Sequence, residues 1–346
     1  MRVLGMPAFR NRDTNPYNWL LYTSMKKLGT QVDEFSLNKL LLNEHNIWHL
    51  HWPEMVLNNP NRIKVLLKIK ALFLQIDWAK MRGVKIVWTA HNLANHERLH
   101  LELETQFWRG FLRRIDGYIS LSQAGIEAAQ KYHPELKNIP GFVIPHNHYR
   151  GEYPDNVSRE KARTELGIPA TAKVLLFFGR IRAYKNVPQL LQVFQNFTDP
   201  NLVLYIAGKA EVPGLAEDLA KQAKLDSRLQ FDLDFISNEK AQLYFRAADL
   251  VVLPYREILN SGTALLSLSF NCPVLVPKRG AMGELQNIVG SEWVRTYEED
   301  ITLEEITGAL EWALNTPRAK QAPLENFDLN KLAQQTIKAY NFIAAN

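Results

Sequence analysis

The chain holds 346 residues, 46% of them apolar and 22% charged, with one cysteine, Cys272, and a formal net charge of +5. This composition excludes a disordered or fibrous chain, an intramolecular disulfide framework and a thiolate zinc site. No stretch approaches the roughly 18 uninterrupted apolar residues of a spanning helix, and residues 1–5 enter a strand-like run without a signal-peptide pattern, so a reducing, cytoplasmic setting is expected.

In chain order, apolar runs that read as buried strands fall at residues 3–6, 46–51, 85–90, 117–121 and 141–145, with helix-period segments at 18–28, 62–82 and 124–132 between them. Residues 150–171 are polar, carry Pro154 and Pro169, and include a short helix pattern at 158–166 with Ser158 as its N-cap. The alternation restarts with strands at 173–178, 202–207, 228–231, 250–254 and 274–276 and helices at 187–196, 214–223, 238–247 and 263–270, before a last apolar-periodic segment at 329–343. The prediction is an α/β protein of two Rossmann-like doubly wound domains facing across a cleft, with ligands at the carboxyl ends of the strands. The expected division is an N-terminal domain at 1–150, a linker at 151–171, a C-terminal domain at 172–325, and a helix at 326–346 packing back toward the N-terminal domain. Charge divides unevenly between the halves. Residues 1–150 hold 20 Lys+Arg against 12 Asp+Glu and all nine histidines, whereas the remainder holds 21 against 24. The basic half is thus expected to face something anionic.

The segment VLLFFGRIRAYKNV at 174–187 ends a strand at Gly179 and sets Arg180 and Lys185 before a helix start. Two cations beside free backbone N–H groups make an anion site; solvated loop charges are the plainer alternative. After the strand at 250–254, Asn260, Ser261, Gly262 and Thr263 offer an N-cap, a flexible glycine and hydroxyls suited to a phosphate, or merely an ordinary capped helix. Both segments sit at strand ends of the same half, where one site can hold a diphosphate.

Taken in order, GRIRAYKNV, LYIAGK, DFISNEKAQLYFRAADLVVLPYRE and CPVLVPKRGAMGEL resemble the carboxyl-terminal domain of GT-B-fold glycosyltransferases, most nearly the retaining family four set, glycosyl transferases group 1. The resemblance covers 173 to about 289. It implies that Arg180 and Lys185 bind a donor diphosphate, that Gly208, Phe235 and Ile236 lie near the nucleotide base, and that Glu257 to Thr263 meet the donor sugar and phosphates. It departs from the family at the second of a pair of glutamates: counting eight onward from Glu257 reaches Leu265, with Leu266 beside it, so the ribose-binding carboxylate is missing.

In the basic half, IWHLHWPE ends one strand and VWTAHNLANHE another. They place Trp52 to stack on a sugar face and His91 to hydrogen-bond the transferring sugar, a role that the resemblance supports. His51, Glu54, His96, Glu97 and Asp13 join them on the acceptor side. If transfer inverts the anomeric centre, Glu54, His51, Glu97 or Asp13 would serve as base. Alternation puts His49 and His51 on one strand face, which also suits core histidines. A zinc site on His49, His51, His91 and His96 lacks both the metalloprotease helix motif and thiolates, so no metal is expected. Asp232-Leu233-Asp234 reads as a polar strand end. Residues 62–82 and 107–114 mix basic and large apolar side chains, as helices on an anionic membrane or as crossover helices with basic outer faces; no motif for nucleic acid accompanies the charge.

The expected function is cytoplasmic, metal-independent transfer of a hexose from a nucleoside-diphosphate sugar to a hydroxyl of a saccharide or lipid-linked saccharide, with no cofactor beyond that co-substrate. His91, Glu257, Arg180 and Lys185 are the expected catalytic residues. Alternatives are a sugar-nucleotide epimerase or phosphorylase of the same fold, or a degenerate nucleotide-binding module.

Overall fold

The computed structural model describes every residue except Asn43, His96 and Pro213. The chain divides into two compact units, residues 1–147 with 327–346, and residues 148–326.

In the first unit, β1 (Arg2–Met6), β2 (Gln31–Glu34), β3 (Ile47–Leu50), β4 (Lys85–Thr89), β5 (Gly117–Ser120) and β6 (Gly141–Val143) form a parallel sheet in the order β2-β1-β3-β4-β5-β6. Every central strand is buried on both faces, as a parallel sheet covered by crossover helices requires. Trp48, Trp88, Phe107 and Phe111 pack on one face with the helices Arg62–Met81 and Leu101–Leu112. Tyr22, Met25, Tyr340 and Ile343 pack on the other, contributed by the helix Tyr17–Lys27 and the C-terminal helix Leu329–Ala345. Asn61 starts Arg62–Met81 by accepting from Lys64 N at 3.1 Å, and Asp328 starts the last helix by accepting from Asn330 N and Lys331 N.

The second unit holds β7 (Lys173–Phe178), β8 (Leu202–Ala207), β9 (Leu229–Asp232), β10 (Leu250–Val252), β11 (Val274–Pro277) and β12 (Val294–Tyr297), again parallel, in the order β12-β11-β10-β7-β8-β9. Strand order reverses between β7 and β10, and in the first unit between β1 and β3; ligand crevices of doubly wound sheets open at such points. Residues 151–171, expected as a linker, are instead part of the second unit. The helix Arg159–Glu165 is anchored there because buried Arg163 donates to Asp249 Oδ2 at 3.0 Å and to Ala247 O at 3.2 Å, while the same Asp249 oxygen accepts from Val174 N at the start of β7. A buried guanidinium is stable only when paired in this way.

Candidate active site

The second unit builds its site around two glycines. Gly179 follows β7 with φ +111° and Gly208 follows β8 with φ +138°, and a Cβ on Gly208 would lie 2.3 Å from Gly179 O. Only glycine allows both the positive φ and the close approach of the two strand ends. A Cβ on Gly179 would lie 3.3 Å from Lys185 Nζ and 3.4 Å from Thr263 Oγ1, so an ammonium and a hydroxyl converge over this glycine. The 3-10 turn Ala183–Lys185 and the left-handed Asn186, with φ 53°, bring Lys185 back to the end of β7. Its Nζ sits 5.9 Å and 5.2 Å from the ring centroids of Phe177 and Tyr255. The following helix, Val187–Phe194, has no side-chain cap; with Pro188 lacking an N–H and Gln189 N donating to Asn186 O at 3.1 Å, its first turn leaves the Val187 N–H, two residues after Lys185, for a ligand.

Lys185 is only 9% exposed, and among the described residues no carboxylate forms an ion pair with it. Burial brings its pKa from 10.5 to about 7; Arg182 and Arg180 add to this lowering, and Glu211 opposes it. A buried cation without a counter-ion is costly, and a phosphate is the ligand that would relieve it. Arg180 does not point its charge there unopposed, as the sequence led one to expect. It reaches Glu211 Oε1 at 3.5 Å, while Arg182, which sequence reasoning did not single out, holds Oε2 of the same carboxylate at 2.6 Å.

The loop after β10 is pinned on both sides. Arg256 N donates to Tyr184 O at 2.9 Å and Ala281 N to Leu259 O at 2.9 Å, and Gly280, with φ +54°, lets its backbone approach Ile258 O, where a Cβ would come within 2.4 Å. Ser261 Oγ accepts from Ala264 N at 3.1 Å and caps the helix Gly262–Ser269. Neither amide atom of Asn260 has a hydrogen-bond partner although both are buried, as expected of a group that awaits a ligand. Glu257 lies exposed on this loop, whereas Leu265 and Leu266 are buried against the sheet, so no carboxylate stands where the ribose glutamate was missed. Phe235, half-exposed, and Ile236 follow the edge strand β9 rather than joining the Lys185 cluster, although Gly208 N donates to Asp232 O at 2.8 Å beside them. Asp232 Oδ2 accepts from Tyr244 Oη at 2.6 Å, a structural role.

In the first unit, the carboxyl ends of β3 and β4 carry a buried polar chain. His49 Nε2 meets Thr89 Oγ1 at 2.7 Å, and His49 Nδ1 meets Tyr340 Oη at 2.5 Å and Tyr22 Oη at 2.9 Å. Tyr22 Oη also meets His51 Nε2 at 2.7 Å, and His51 Nδ1 meets His91 Nε2 at 3.0 Å. Burial holds His49 down to about 3 and His51 and His91 well below the usual histidine range, so the rings are neutral. Tyr22 and Tyr340 also hydrogen-bond one another. Each neutral ring carries one proton, so the contacts form one continuous chain of shared protons from Thr89 through His49, the two phenols and His51 to His91. Both nitrogens of His51 are engaged and the ring is fully buried, so this one of the four candidate bases offered by the sequence, Glu54, His51, Glu97 and Asp13, has no free nitrogen for that role. The same bonding uses the nitrogens that a zinc ion would need on His49 and His51. His96 lies outside the described residues, and among the described residues no three His, Cys, Asp or Glu side chains group as a metal site.

Trp52 stacks on His91 at 4.4 Å and 19°. Glu54, on the turn Pro53–Leu57, accepts from Asn92 Nδ2 at 3.0 Å through Oε1, and its buried Oε2 has no partner. Burial raises this carboxyl to about 7; the Asn92 bond lowers it and Glu104 raises it. Asp13 and Glu97 are exposed. The structure thus brings His51, Trp52, His91, Asn92 and Glu54 together, with Tyr22 and Tyr340 as the partners that sequence reasoning missed.

The family described as Glycosyl transferases group 1 matches residues 158–311. The GDP-mannose:glycolipid 4-beta-D-mannosyltransferase of Xanthomonas campestris pv. campestris is 31% identical over 332 residues, 95% of this chain and 89% of that protein. The D-inositol 3-phosphate glycosyltransferase of Corynebacterium efficiens is 30% identical over 133 residues, 36% of this chain and 31% of that protein. In fold, the chain is similar to Anabaena HepE in complex with UDP-glucose, with a TM-score of 0.66 at 15% identity over 100% of this chain and 98% of that one. It is also similar to WaaG, a glycosyltransferase involved in lipopolysaccharide biosynthesis, with a TM-score of 0.59 at 14% identity over 100% of this chain and 96% of that one. The two parallel doubly wound sheets and the likeness over nearly the whole chain agree: the chain belongs to the glycosyl transferases group 1 family and is a glycosyltransferase of GT-B fold.

Proposed function

We propose that this enzyme transfers a mannosyl group from GDP-mannose to a hydroxyl of a lipid-linked saccharide, with inversion and without a metal. The observation that carries the reading is the buried ammonium of Lys185, without a carboxylate partner, beside Gly179 and Thr263 at the strand-order reversal of the second unit. Donor and acceptor class follow the printed name of the Xanthomonas relative. A β product from an α-linked nucleotide sugar demands inversion, and the leucines at 265 and 266 accord with departure from the retaining pattern.

In this reading the acceptor oxygen attacks the anomeric carbon as the bond to the diphosphate breaks. Lys185 Nζ, Thr263 Oγ1 and the helix start at Val187 stabilise the departing negative charge, and Arg180 exchanges its 3.5 Å contact with Glu211 for a phosphate oxygen. Asn260, Ser261, Gly262 and Glu257 meet the phosphates and sugar, and Gly208, Phe235 and Ile236 the base. Glu54 Oε2 takes the acceptor proton. Among the candidates from sequence it alone combines burial, a fixing hydrogen bond and a pKa of about 7, the range in which a general base works best. His91 donates to a sugar hydroxyl, Trp52 stacks on the sugar, and Asp13 and Glu97 remain peripheral acceptor contacts. No helix among the described residues is long and apolar enough to cross a membrane; we place the enzyme in the cytoplasm, at the inner face of the membrane.

Thermal melts with GDP, UDP, dTDP, ADP and CMP, each with and without a chelator, test this reading, because a ligand of the folded state alone raises its melting point. A selective rise with GDP that survives chelation is expected. A selective rise with UDP would overturn the donor, and no rise with any would favour the non-catalytic module. Acceptor-dependent release of GDP separates transfer from epimerisation.

A further inference from the structure

The helix Arg62–Met81 is apolar on two opposite sides. Val65, Ile69, Leu72, Ile76 and Ala79 enter the core. Facing water, Ile63, Leu67, Leu74, Trp78 and Met81 are between 37% and 76% exposed, and exposed Ala71 completes a stripe at spacings of four, four, three, four and three residues. An apolar stripe on the outer side of a helix is ordinarily enclosed by protein or lipid, yet among the described residues nothing covers this one. Lys64, Lys68, Lys70 and Arg82, all exposed, flank it, and among the described residues no carboxylate pairs with the three lysines. The acids nearby are neutralised within the unit: Arg114 grips Asp77 at 2.8 Å and 3.0 Å, and Arg62 holds Glu102 at 3.1 Å.

We propose that this face docks on the anionic leaflet of a membrane, the apolar stripe entering the acyl boundary and the cations resting on headgroup phosphates. The charge pattern favours lipid over a second copy of the chain. Self-pairing through the stripe would set lysine against lysine, while Asp77, the acid on its flank, is already held by Arg114 and so cannot answer them, the reverse of what joins two helices. The helix begins at Arg62, after four residues that follow the turn Pro53–Leu57 carrying Glu54, and packs against that turn, so a docked leaflet would lie on the same side of the unit as the acceptor-side residue of that turn. That link to a lipid-linked acceptor rests on the function proposed above, whereas the surface itself does not.

The test is co-sedimentation of the full chain with vesicles of phosphatidylcholine and phosphatidylglycerol against vesicles of phosphatidylcholine alone, at low salt and at about 0.5 M salt, where screening cuts surface electrostatics. Binding to the anionic vesicles is expected, weaker by about tenfold or more on neutral lipid and at high salt. The Leu67→Glu/Leu74→Glu pair and the Lys64→Gln/Lys68→Gln/Lys70→Gln triple are each expected to lower it by about tenfold while the GDP-induced rise in melting point stays unchanged. Equal binding to both vesicles, or none at low salt, would overturn the proposal. So would a wild-type dimer in light scattering that Leu67→Glu/Leu74→Glu converts to monomer. Vesicle binding without a GDP response would sink the donor assignment and leave the docking face standing; a GDP response without vesicle binding would do the opposite.

Discussion

Replacing Lys185 by Met is expected to make the ligand-free protein more stable and to disable it as a donor binder. The native amine has its pKa brought from 10.5 to about 7 by burial. Between those values the unfolded chain binds a proton that the folded chain does not, so stability rises with pH through that window and the full penalty stands below about 7. At pH 8 the penalty is about 3 kcal/mol, at roughly 1.4 kcal/mol per pH unit. The folded amine is mostly uncharged at pH 8, so the Phe177 and Tyr255 faces return no cation–π attraction there. Methionine keeps a straight chain against those rings without the charge, which leaves a net gain of about 3 kcal/mol and a rise of roughly 6–12 °C in the melting point of a unit this size. A charge-assisted hydrogen bond to phosphate is worth about 1.5–3 kcal/mol, so GDP affinity falls about 10–100-fold. Scanning calorimetry at pH 8 and near pH 11, with GDP titrations at pH 8, measures both effects. The reasoning fails if Lys185→Met melts lower than wild type, if the gap persists above the unfolded lysine pKa, or if GDP binds equally well.

Other substitutions probe the rest of the account. Glu54, raised from 4.5 to about 7, favours folding fully below pH 4.5 and loses about 3 kcal/mol of that contribution as pH climbs through 7. In urea melts Glu54→Gln should lack this loss, and its transfer rate should be at least about 100-fold lower and without the wild-type rise near pH 7; parallel pH profiles would count against the assignment. Gly208→Ala would place a Cβ 2.3 Å from Gly179 O at φ +138°, so a loss of more than about 2 kcal/mol in urea unfolding is expected, together with weaker GDP binding. An unchanged unfolding midpoint would show that the strand ends yield. Tyr22→Phe deprives His51 Nε2 of its hydrogen-bond partner and should cost about 1–3 kcal/mol; a neutral result would mean that the ring finds another partner.

The sequence made the turn after β7 readable because its signals are local: an apolar strand, a glycine that must turn at φ +111°, and a lysine six residues on. What it hid was pairing across distance. Glu211, which engages Arg180, lies beyond β8 in the chain, and nothing in the spacing marks it as a rival for phosphate. Tyr340, which fixes His49, stands 291 residues away on the C-terminal helix. Two strands escaped for another reason. β2 (QVDE) and β12 (VRTY) are edge strands, so they bury only part of their length and lack the continuous apolar run of the central strands. Glu54 was visible as a carboxylate at a strand end, but its burial and its orphaned oxygen belong to the packing of the turn Pro53–Leu57 against Arg62–Met81.

The most direct test of the central claim supplies the purified enzyme with GDP-mannose labelled in the sugar, with UDP-glucose as the control donor, and with a lipid-linked saccharide acceptor in detergent. Label in the lipid extract from GDP-mannose alone, with a β-anomeric product by NMR and loss of transfer in Lys185→Ala, is the predicted result. Transfer from UDP-glucose instead, an α-linked product, or label recovered only as free mannose whatever acceptor is present would contradict the account.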